Sequence, residues 1–276
     1  MRSFAFVPLP LALTCLLVTR AAAQTGSENN LVFTIFGGAV TGHHLWTVEK
    51  QPLSVLGSSP TRYDTLRLSQ SITSSVVLGA TATYFLSSRV GVHAEISYMG
   101  LPAEGDCSPV FLHPDSGSGG TVDMRRNGQV CDDIRAQGST GGAITIFTGV
   151  TIRAASRRSF SPFLRGNIGL VTLSRSTIEM AGAFAEPGGV FVRQVIADPK
   201  PRRTSMLVGV AAGFTTPLST GYQFRFEIRD QAIQLVRLTG PGSAGGPSPT
   251  ATKYYHHVSL GLGLDVVLER KRGRRY

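Results

Sequence analysis

The stretch spanning residues 204–237 limits the possible folds more than any other part of the chain. Apolar and polar residues alternate with period two on both sides of a Pro- and Gly-containing segment at 217–221, which predicts two long strands joined by a turn. Successive strand residues point to opposite faces, so the second strand has one apolar and one charged face. The apolar face carries Tyr222, Phe224, Phe226 and Ile228, and the charged face carries Gln223, Arg225, Glu227 and Arg229.

The same alternation recurs along the chain and predicts about eight strands. The connections alternate between long and short, and few helical patterns exist that could cover an apolar sheet face. This combination favours a closed barrel with lipid outside and small or polar side chains inside. The predicted strands are 30–43, 69–86, 90–101, 139–154, 160–174, two within 204–237, and 253–270; the long loops are 45–68, 102–138, 175–203 and 239–252, with 189–196 extending strand pairing beyond the membrane.

Over residues 30–270 this pattern resembles the small eight-stranded outer-membrane β-barrel families, the OmpA-like transmembrane domains and their OmpX or OmpW relatives. The resemblance rests on the strand pattern, since no diagnostic motif accompanies it. It implies an all-β, eight-stranded antiparallel up-and-down transmembrane β-barrel in the outer membrane of a diderm bacterium, with short periplasmic turns and long extracellular loops. The aromatic girdles of such a barrel would draw on Trp46, Tyr63, Tyr84, Tyr98, Tyr222, Tyr254 and Tyr255.

The C-terminus departs from the pattern of these families. Their last strand commonly ends on an aromatic residue that the barrel-insertion machinery reads, whereas here a basic run at 270–275 precedes Tyr276. The insertion signal is therefore unusual or lies within residues 260–268. The basic run itself is predicted to anchor at phospholipid headgroups on the periplasmic side.

The N-terminal segment predicts export. Residues 1–23 contain Arg2, an apolar run and a small-residue cleavage site at 21–23, which indicates a signal peptide and leaves residues 24–276 as one barrel domain. A lipoprotein signal centred on Cys15 fits less well, because the apolar run continues past this cysteine. No later stretch has the ~18 consecutive apolar residues of a spanning helix, so a membrane-bound chain must cross with strands.

The positive charge of the chain bears on its partners. The formal net charge is +10, yet an exported chain seldom meets nucleic acid, and the sequence has no basic helix or aromatic RNA-binding platform. We therefore expect no nucleic-acid partner. The expected partners are outer-membrane lipids and lipopolysaccharide, the insertion machinery, and an extracellular ligand bound through the surface loops.

Two cysteines remain after removal of the signal peptide, and both lie in the long connection 102–138. Because exported proteins meet an oxidising environment, we expect Cys107 and Cys131 to form a disulfide. Closing a loop of about 25 residues would stabilise the fold by roughly 3 kcal/mol through chain entropy.

Six charged residues are predicted to face the barrel interior. Eight strands leave a lumen that side chains can fill, and charges in such a space need partners. A salt-bridge network that plugs the lumen is therefore the favoured interpretation, and a gated ion path is the alternative. The six are Glu95, Arg165, Arg225, Glu227, Arg229 and Asp265.

Histidine pairs stand at the predicted extracellular rim, His43 and His44 at the end of the first strand and His256 and His257 at the start of the last. Because first and last strands are neighbours in a closed barrel, two imidazoles could share a metal ion. Ordinary interfacial polar residues are the simpler interpretation, and neither a bound metal nor any cofactor is predicted.

A catalytic arrangement is not indicated. Residues His93, Glu95 and Ser97 have the residue types of a triad, but strand neighbours two apart are separated by roughly 7 Å, beyond hydrogen-bond reach. We predict a structural, surface-interaction or adhesion role rather than an enzyme. The alternatives are a small-solute or hydrophobic-ligand transport barrel, a lipid-modifying outer-membrane enzyme, and a soluble barrel of lipocalin type with apolar side chains inside.

Overall fold

A computed structural model describes residues 31–55, 62–113, 122–154, 160–186, 188–198, 203–242 and 247–268 as fourteen strands and one helix. The strands are β1 (Leu31–Val40), β2 (His43–Ser54), β3 (Tyr63–Ile72), β4 (Ser75–Phe85), β5 (Val90–Gly100), β6 (Ala103–Phe111), β7 (Gly138–Ser139), β8 (Gly142–Arg153), β9 (Ser161–Leu173), β10 (Met180–Glu186), β11 (Gly189–Ile196), β12 (Thr204–Ser219), β13 (Tyr222–Leu238) and β14 (Thr250–Leu268), and the helix is α1 (Val122–Ala136). The predicted signal peptide, Cys15 and the basic run 270–275 with Tyr276 lie outside the described residues.

Eight strands close into a barrel in the order β1, β14, β13, β12, β9, β8, β5, β4, each antiparallel to its neighbours. The ring closes at β1, where Ile35 lies opposite Leu264 of β14 on one side and Ala80 of β4 on the other. The predicted eight-stranded antiparallel transmembrane barrel is confirmed. β13 and β14 have 17 and 19 residues, more than the roughly 9–11 that cross a bilayer, so both extend past the membrane.

Glycine is required at several positions of the barrel, of which Gly221 and Gly38 are two. The turn between β12 and β13 contains Gly221 at φ 82°, a conformation that L side chains rarely adopt. Gly38 of β1 lies so close to β14 that an added Cβ would sit 2.0 Å from the Leu260 carbonyl oxygen. Close packing of β1 against β14 therefore requires a glycine at position 38.

Large apolar side chains point outward around the wall, as the alternation predicts. Ile35, Ile146 and Leu164 are 71%, 61% and 62% exposed, and similar residues follow on every barrel strand. This arrangement contradicts the soluble-barrel alternative, which places such residues inside. Exposed tyrosines lie near both ends, Tyr84 and Tyr222 beside the short turns and Tyr98 and Tyr254 at the opposite end.

Three of the four long connections predicted as loops, 45–68, 102–138 and 175–203, contain strands or a helix, which corrects the sequence interpretation, whereas the described part of 239–252 is a loop up to the start of β14. Residues 45–68 lie mostly in β2 and β3, the predicted strand 69–86 is interrupted at Thr73 and Ser74, and residues 102–138 contain β6, α1 and part of β7. Bulges in the pairing of β2 with β3 obscure the period-two pattern in the sequence. The extra strand pairing predicted at 189–196 is confirmed as β11 pairing with β10.

These additional elements form one structure above the barrel, which we call the cap: β2, β3, β6 and β7 in one sheet, the β10–β11 hairpin, and α1. The cap has its own apolar core, in which α1 packs against β6 and β10. Trp46 belongs to this core, 3% exposed, and its indole N–H donates to the Thr177 carbonyl oxygen at 2.9 Å. Trp46 is therefore not a girdle residue, and neither is Tyr255, which is buried.

A buried polar chain also holds the cap together. Asp64 accepts hydrogen bonds from the His113 backbone N–H at 2.9 Å and from the Asn127 side-chain amide at 2.5 Å. The Asn127 oxygen accepts from Arg193 at 2.9 Å, and Arg193 reaches the Ser54 hydroxyl at 2.8 Å. The chain links β3, α1, β11 and β2, so the cap elements are fixed to one another by directional bonds as well as by packing.

Among the described residues, no helix has the length and hydropathy needed to cross a membrane.

Candidate functional sites in the lumen and the cap

Strand alternation brings six charged side chains into the lumen. They come from four strands: Glu95 from β5, Arg165 from β9, three from β13, and Asp265 from β14. Each is at most 4% exposed. The three on β13 are Arg225, Glu227 and Arg229.

These six residues form one connected ion-pair network. Glu227 is its centre, with an oxygen 2.7 Å from Arg225 Nη2, another 2.7 Å from Arg229 Nε, and 3.3 Å from Arg165 Nη1. Glu95 pairs with Arg165 at 3.1 Å and with Arg229. Asp265 lies 3.6 Å from Arg225. Three cations thus meet three anions, which is the condition under which buried charges are tolerated.

Hydroxyl groups and aromatic rings complete the surroundings of this network. Thr34 donates to Asp265 at 2.7 Å, and Thr81 donates to Glu95 at the same distance. The guanidinium of Arg229 stacks on the Phe36 ring with 3.9 Å to the centroid, and that of Arg225 lies over Phe163 at 4.2 Å. Such cation–π contacts are favourable where the cation is desolvated.

Above the ion pairs, toward the cap, the lumen is apolar. Successive inward residues on β13 change from Arg229 to Gln231 and then to Ile233, and on β5 from Ser97 to Met99. This apolar layer is continuous with the cap core. Its buried members on the barrel strands include Val40, Val77, Met99, Val171, Leu207 and Ile233.

The apolar layer corrects the prediction of a polar lumen, which holds only for the part nearer the short turns. The sequence signal was present, because inward positions near the cap end of most barrel strands are apolar. Near the cap, both faces of a barrel strand carry apolar residues, so the alternation of apolar and polar residues stops. In the sequence this resembles the end of a strand, and it does not reveal that the inward residues form a buried apolar layer.

The triad-like residues are each engaged elsewhere. His93 hydrogen-bonds Asn167 at 2.7 Å and Thr151 at 3.0 Å, and the Ser97 hydroxyl pairs with Thr145. Glu95 belongs to the ion-pair network. The structure does not bring these three side chains together as a nucleophile, base and orienting acid.

The two cysteines meet within the cap. A disulfide joins Cys107 of β6 to Cys131 of α1, with 4.9 Å between the Cα atoms, and both residues are fully buried. It therefore fastens α1 to the sheet of the cap inside an apolar core, rather than stiffening an exposed loop.

The four histidines separate into one pair and two single residues. His43 and His257 meet with ring centroids 4.4 Å apart. His44 instead contacts the Ser71 hydroxyl at 3.2 Å, and His256 lies 2.9 Å from Asp230. Burial, with a smaller contribution from nearby His44, lowers the pKa of His43 below its usual value. The described part of the chain contains no group of three or more His, Cys, Asp or Glu side chains that could hold a metal ion.

A polar groove opens on the cap, with a volume of about 480 Å³. It lies among β3, the end of α1 and the connections that follow β9 and β11. Amide, guanidinium and carboxylate groups are all represented among its lining residues. They include Gln70, Gln137, Arg175, Glu179, Asp198 and Arg203.

A second depression, of about 640 Å³, lies on the outer wall of the barrel. Its lining is mainly apolar and includes Ile152, Leu164, Val210 and Ile228, all of which point outward. In a membrane, acyl chains would fill this space.

The closed ring and its apolar outer wall define the protein as a small eight-stranded transmembrane β-barrel of the outer-membrane type. Neither protein-family models nor curated proteins give a sequence match. Solved structures show the likeness in fold: the outer membrane protein OprG from Pseudomonas aeruginosa has a TM-score of 0.50 at 11% identity, covering 88% of this chain and 98% of its own. The outer membrane protein AlkL, solved in lipid bilayers, has a TM-score of 0.42 at 12% identity, covering 91% and 96%. Neisserial surface protein A has a TM-score of 0.37 at 12% identity, covering 87% and 98%.

Proposed function

We propose that this protein is an outer-membrane surface-interaction protein, in which a sealed barrel anchors a folded cap that recognises a hydrophilic, oxygen-rich ligand such as a glycan. The observation that carries the proposal is the continuity of the cap core with the apolar layer inside the barrel. A rigid recognition surface on a closed anchor suits adhesion or contact better than passage of solutes.

The contents of the lumen argue against the transport alternative. A solute crossing the barrel would have to displace six paired charges and then an apolar layer whose members Met99, Leu207 and Ile233 are 0% exposed. Removing one partner of a buried ion pair costs about 3–5 kcal/mol, so transient opening of the network is rare. The depression on the outer wall lies outside the lumen, where it provides no route across the membrane.

The cap supports recognition because it is rigid and offers a polar groove. Its disulfide, its apolar core and the chain from Asp64 to Arg193 fix its elements. Guanidinium, carboxylate and amide groups such as Arg175, Glu179 and Gln137 line the groove. These groups bind hydroxyl-rich ligands through directional hydrogen bonds, at little entropic cost when the site is pre-organised.

The proposal includes location and export. With the predicted signal peptide removed, the chain would be inserted by the barrel machinery, its short turns in the periplasm and its cap outside. The apolar wall would then meet outer-membrane lipid and the cap would meet lipopolysaccharide and the exterior.

The first test measures ion conductance through the barrel. Full-length protein reconstituted in planar bilayers is expected to show no steady conductance, and Glu227→Gln is expected to leave it closed because the apolar layer remains. A stable ion current in the wild-type protein, altered by Glu227→Gln, would overturn the sealed-barrel proposal in favour of a path through the network.

The second test concerns recognition. Vesicles carrying the full-length protein are applied to an array of bacterial and host glycans, and bound glycans are compared between wild type and the variants Arg175→Ala and Arg203→Ala. We expect selective binding that both variants weaken. Arg67→Ala is the matched control, because Arg67 is exposed on β3 and pairs with Glu49 at 3.2 Å outside the groove. No selective binding, or equal loss in all three variants, would overturn the assignment of the groove.

A further inference from the structure

Polar atoms without hydrogen-bond partners cluster where the ion-pair network gives way to the apolar layer. Gln231 of β13 and His257 of β14 lie directly opposite each other and are 1% and 0% exposed. Among the described residues, neither ring nitrogen of His257 and neither amide atom of Gln231 has a hydrogen-bond partner. Directly opposed antiparallel residues have Cβ atoms roughly 4.5–5.5 Å apart, so the two side chains share one space.

His43 joins this pair from the cap. It is the first residue of β2, and its ring lies edge-on to His257 with 4.4 Å between centroids. On its other side it stacks on Tyr255 at 5.1 Å, and the Tyr255 hydroxyl is fixed by donating to the Leu45 carbonyl oxygen at 2.5 Å. Both ring nitrogens of His43 are buried and, within the described part of the chain, have no hydrogen-bond partner.

Such a cluster points to a ligand that the described part of the chain does not supply. Leaving a buried polar group unpaired costs about 1–3 kcal/mol, and native structures pair nearly all of theirs. Three neighbouring side chains with six unpaired atoms therefore point to a bound species. His44 and His256, one residue away in each case, have side-chain partners at the exposed surface, so the lack of partners is specific to the inward pair.

The donor set suits a transition-metal ion. Two imidazole nitrogens are ligands for zinc and its neighbours in the first transition row, and an amide oxygen supplies a third, harder ligand. With Zn–N distances of 2.0–2.1 Å and tetrahedral geometry, two imidazole centroids bound to one ion lie roughly 5 Å apart. The observed 4.4 Å between the centroids of His43 and His257 is within about 1 Å of this separation.

We propose that His43, His257 and the side-chain oxygen of Gln231 bind one divalent transition-metal ion of the zinc class, with water or hydroxide as the fourth ligand. The ion would tie the first strand of the cap to two barrel strands. This site is independent of the proposed glycan groove, since the two share no residue.

The test uses full-length protein in detergent, freed of metal by a chelator and titrated with Zn²⁺ in a calorimeter. We expect one equivalent to bind, and His43→Ala or His257→Ala to weaken binding at least tenfold. His44→Ala and His256→Ala are matched controls and are expected to bind like wild type. With Cu²⁺ as a probe, electron paramagnetic resonance is expected to report two coordinating nitrogens in wild type.

Gln231→Leu separates a metal site from a structural cluster. It removes the amide and adds an apolar group of similar size, so we expect weaker Zn²⁺ binding together with a metal-free protein more stable than wild type. Heat-modifiable gel migration verifies that each variant is folded. Two outcomes would overturn the proposal and leave water as the partner of these groups. One is that the wild-type protein binds no Zn²⁺, and the other is that His257→Ala binds Zn²⁺ as well as His44→Ala does.

Discussion

Arg229 and Glu95 connect opposite walls of the barrel. Arg229 lies on β13 and Glu95 on β5, four positions apart in a ring of eight strands, and the guanidinium donates to the carboxylate across the lumen. Arg165 and Glu227 add links between β9, β5 and β13. The interior is therefore cross-braced by charges rather than merely lined by them.

The first prediction concerns this brace. Glu95→Gln removes the carboxylate shared by Arg165 and Arg229, which leaves two buried guanidinium groups short of a counter-charge. We expect the free energy of unfolding to fall by about 3–5 kcal/mol. Urea unfolding in lipid vesicles, followed by heat-modifiable gel migration, measures the change.

Two variants control the brace experiment. Arg67→Ala breaks the exposed pair with Glu49 and should cost about 0–1 kcal/mol, as exposed pairs do. The double variant Glu95→Gln with Arg229→Gln should lower the free energy of unfolding by less than the sum of the two single changes. The double change removes both charges of the pair, so no unpaired charge is left at these two positions. If Glu95→Gln costs no more than Arg67→Ala, the network does not brace the barrel.

The second prediction concerns the seam between the first and last strands. Gly38→Ala would place a Cβ 2.0 Å from the Leu260 carbonyl oxygen, so the backbone of β1 or β14 must shift. We expect destabilisation of about 1–3 kcal/mol or more, as for other overpacked sites. Gly166→Ala is the matched control on β9, because an added Cβ meets nothing within 4 Å there and should be tolerated. Equal stability of the two variants would contradict the close approach at Gly38.

The third prediction concerns the stability of the cap, measured separately from that of the barrel. Replacing Cys107 and Cys131 together by Ser removes a link across 24 residues, and we expect the cap to lose about 3 kcal/mol. Trp46 is the single tryptophan of the chain and lies in the cap core, so its fluorescence reports cap unfolding. The Trp46 transition should move to lower urea in the variant, while the gel migration of the barrel is unchanged.

A chemical control accompanies the cysteine variant. Reduction of the wild-type protein in mild urea should reproduce the shifted Trp46 transition, and the same reductant should have no effect on the variant. Mass spectrometry of the unreduced wild type should find both thiols bonded. A Trp46 transition that is identical with and without reductant would show that the disulfide does not stabilise the cap.

The barrel could be predicted from the sequence because one physical rule governs it. A strand between lipid and a filled lumen must alternate, so the period alone predicts that residues such as Ile146 and Leu164 face outward and that Glu95 and Arg165 face inward. The even strand number and the alternating connection lengths then fixed the topology. These features are local and repeat on every barrel strand.

The cap could not be predicted in the same way, because its partners are distant in sequence. Asp64 and Arg193 are connected through Asn127, and Trp46 donates to Thr177. The two residues of each contact are more than 60 positions apart, so a local sequence pattern cannot reveal them. Bulges within β2 also break the alternation that would have revealed a strand. Ring closure likewise predicts that His43 lies near His257, but the structure places His43 on β2 rather than at the end of the first barrel strand. The lack of hydrogen-bond partners around these rings among the described residues is visible only in three dimensions.

The last prediction tests whether the outer wall of the barrel faces lipid, by introducing Arg at one exposed apolar position on the barrel and at another on the cap. Ile146 on β8 and Val190 on β11 are 61% and 73% exposed, so by exposure alone Arg at either position should be harmless. If the wall meets lipid, Ile146→Arg should cost up to about 2–4 kcal/mol near the bilayer midplane, whereas Val190→Arg in the cap should be neutral. Urea unfolding of both variants in vesicles gives the comparison. Equal, small effects would mean that water contacts both positions, and the barrel would then not lie in a membrane.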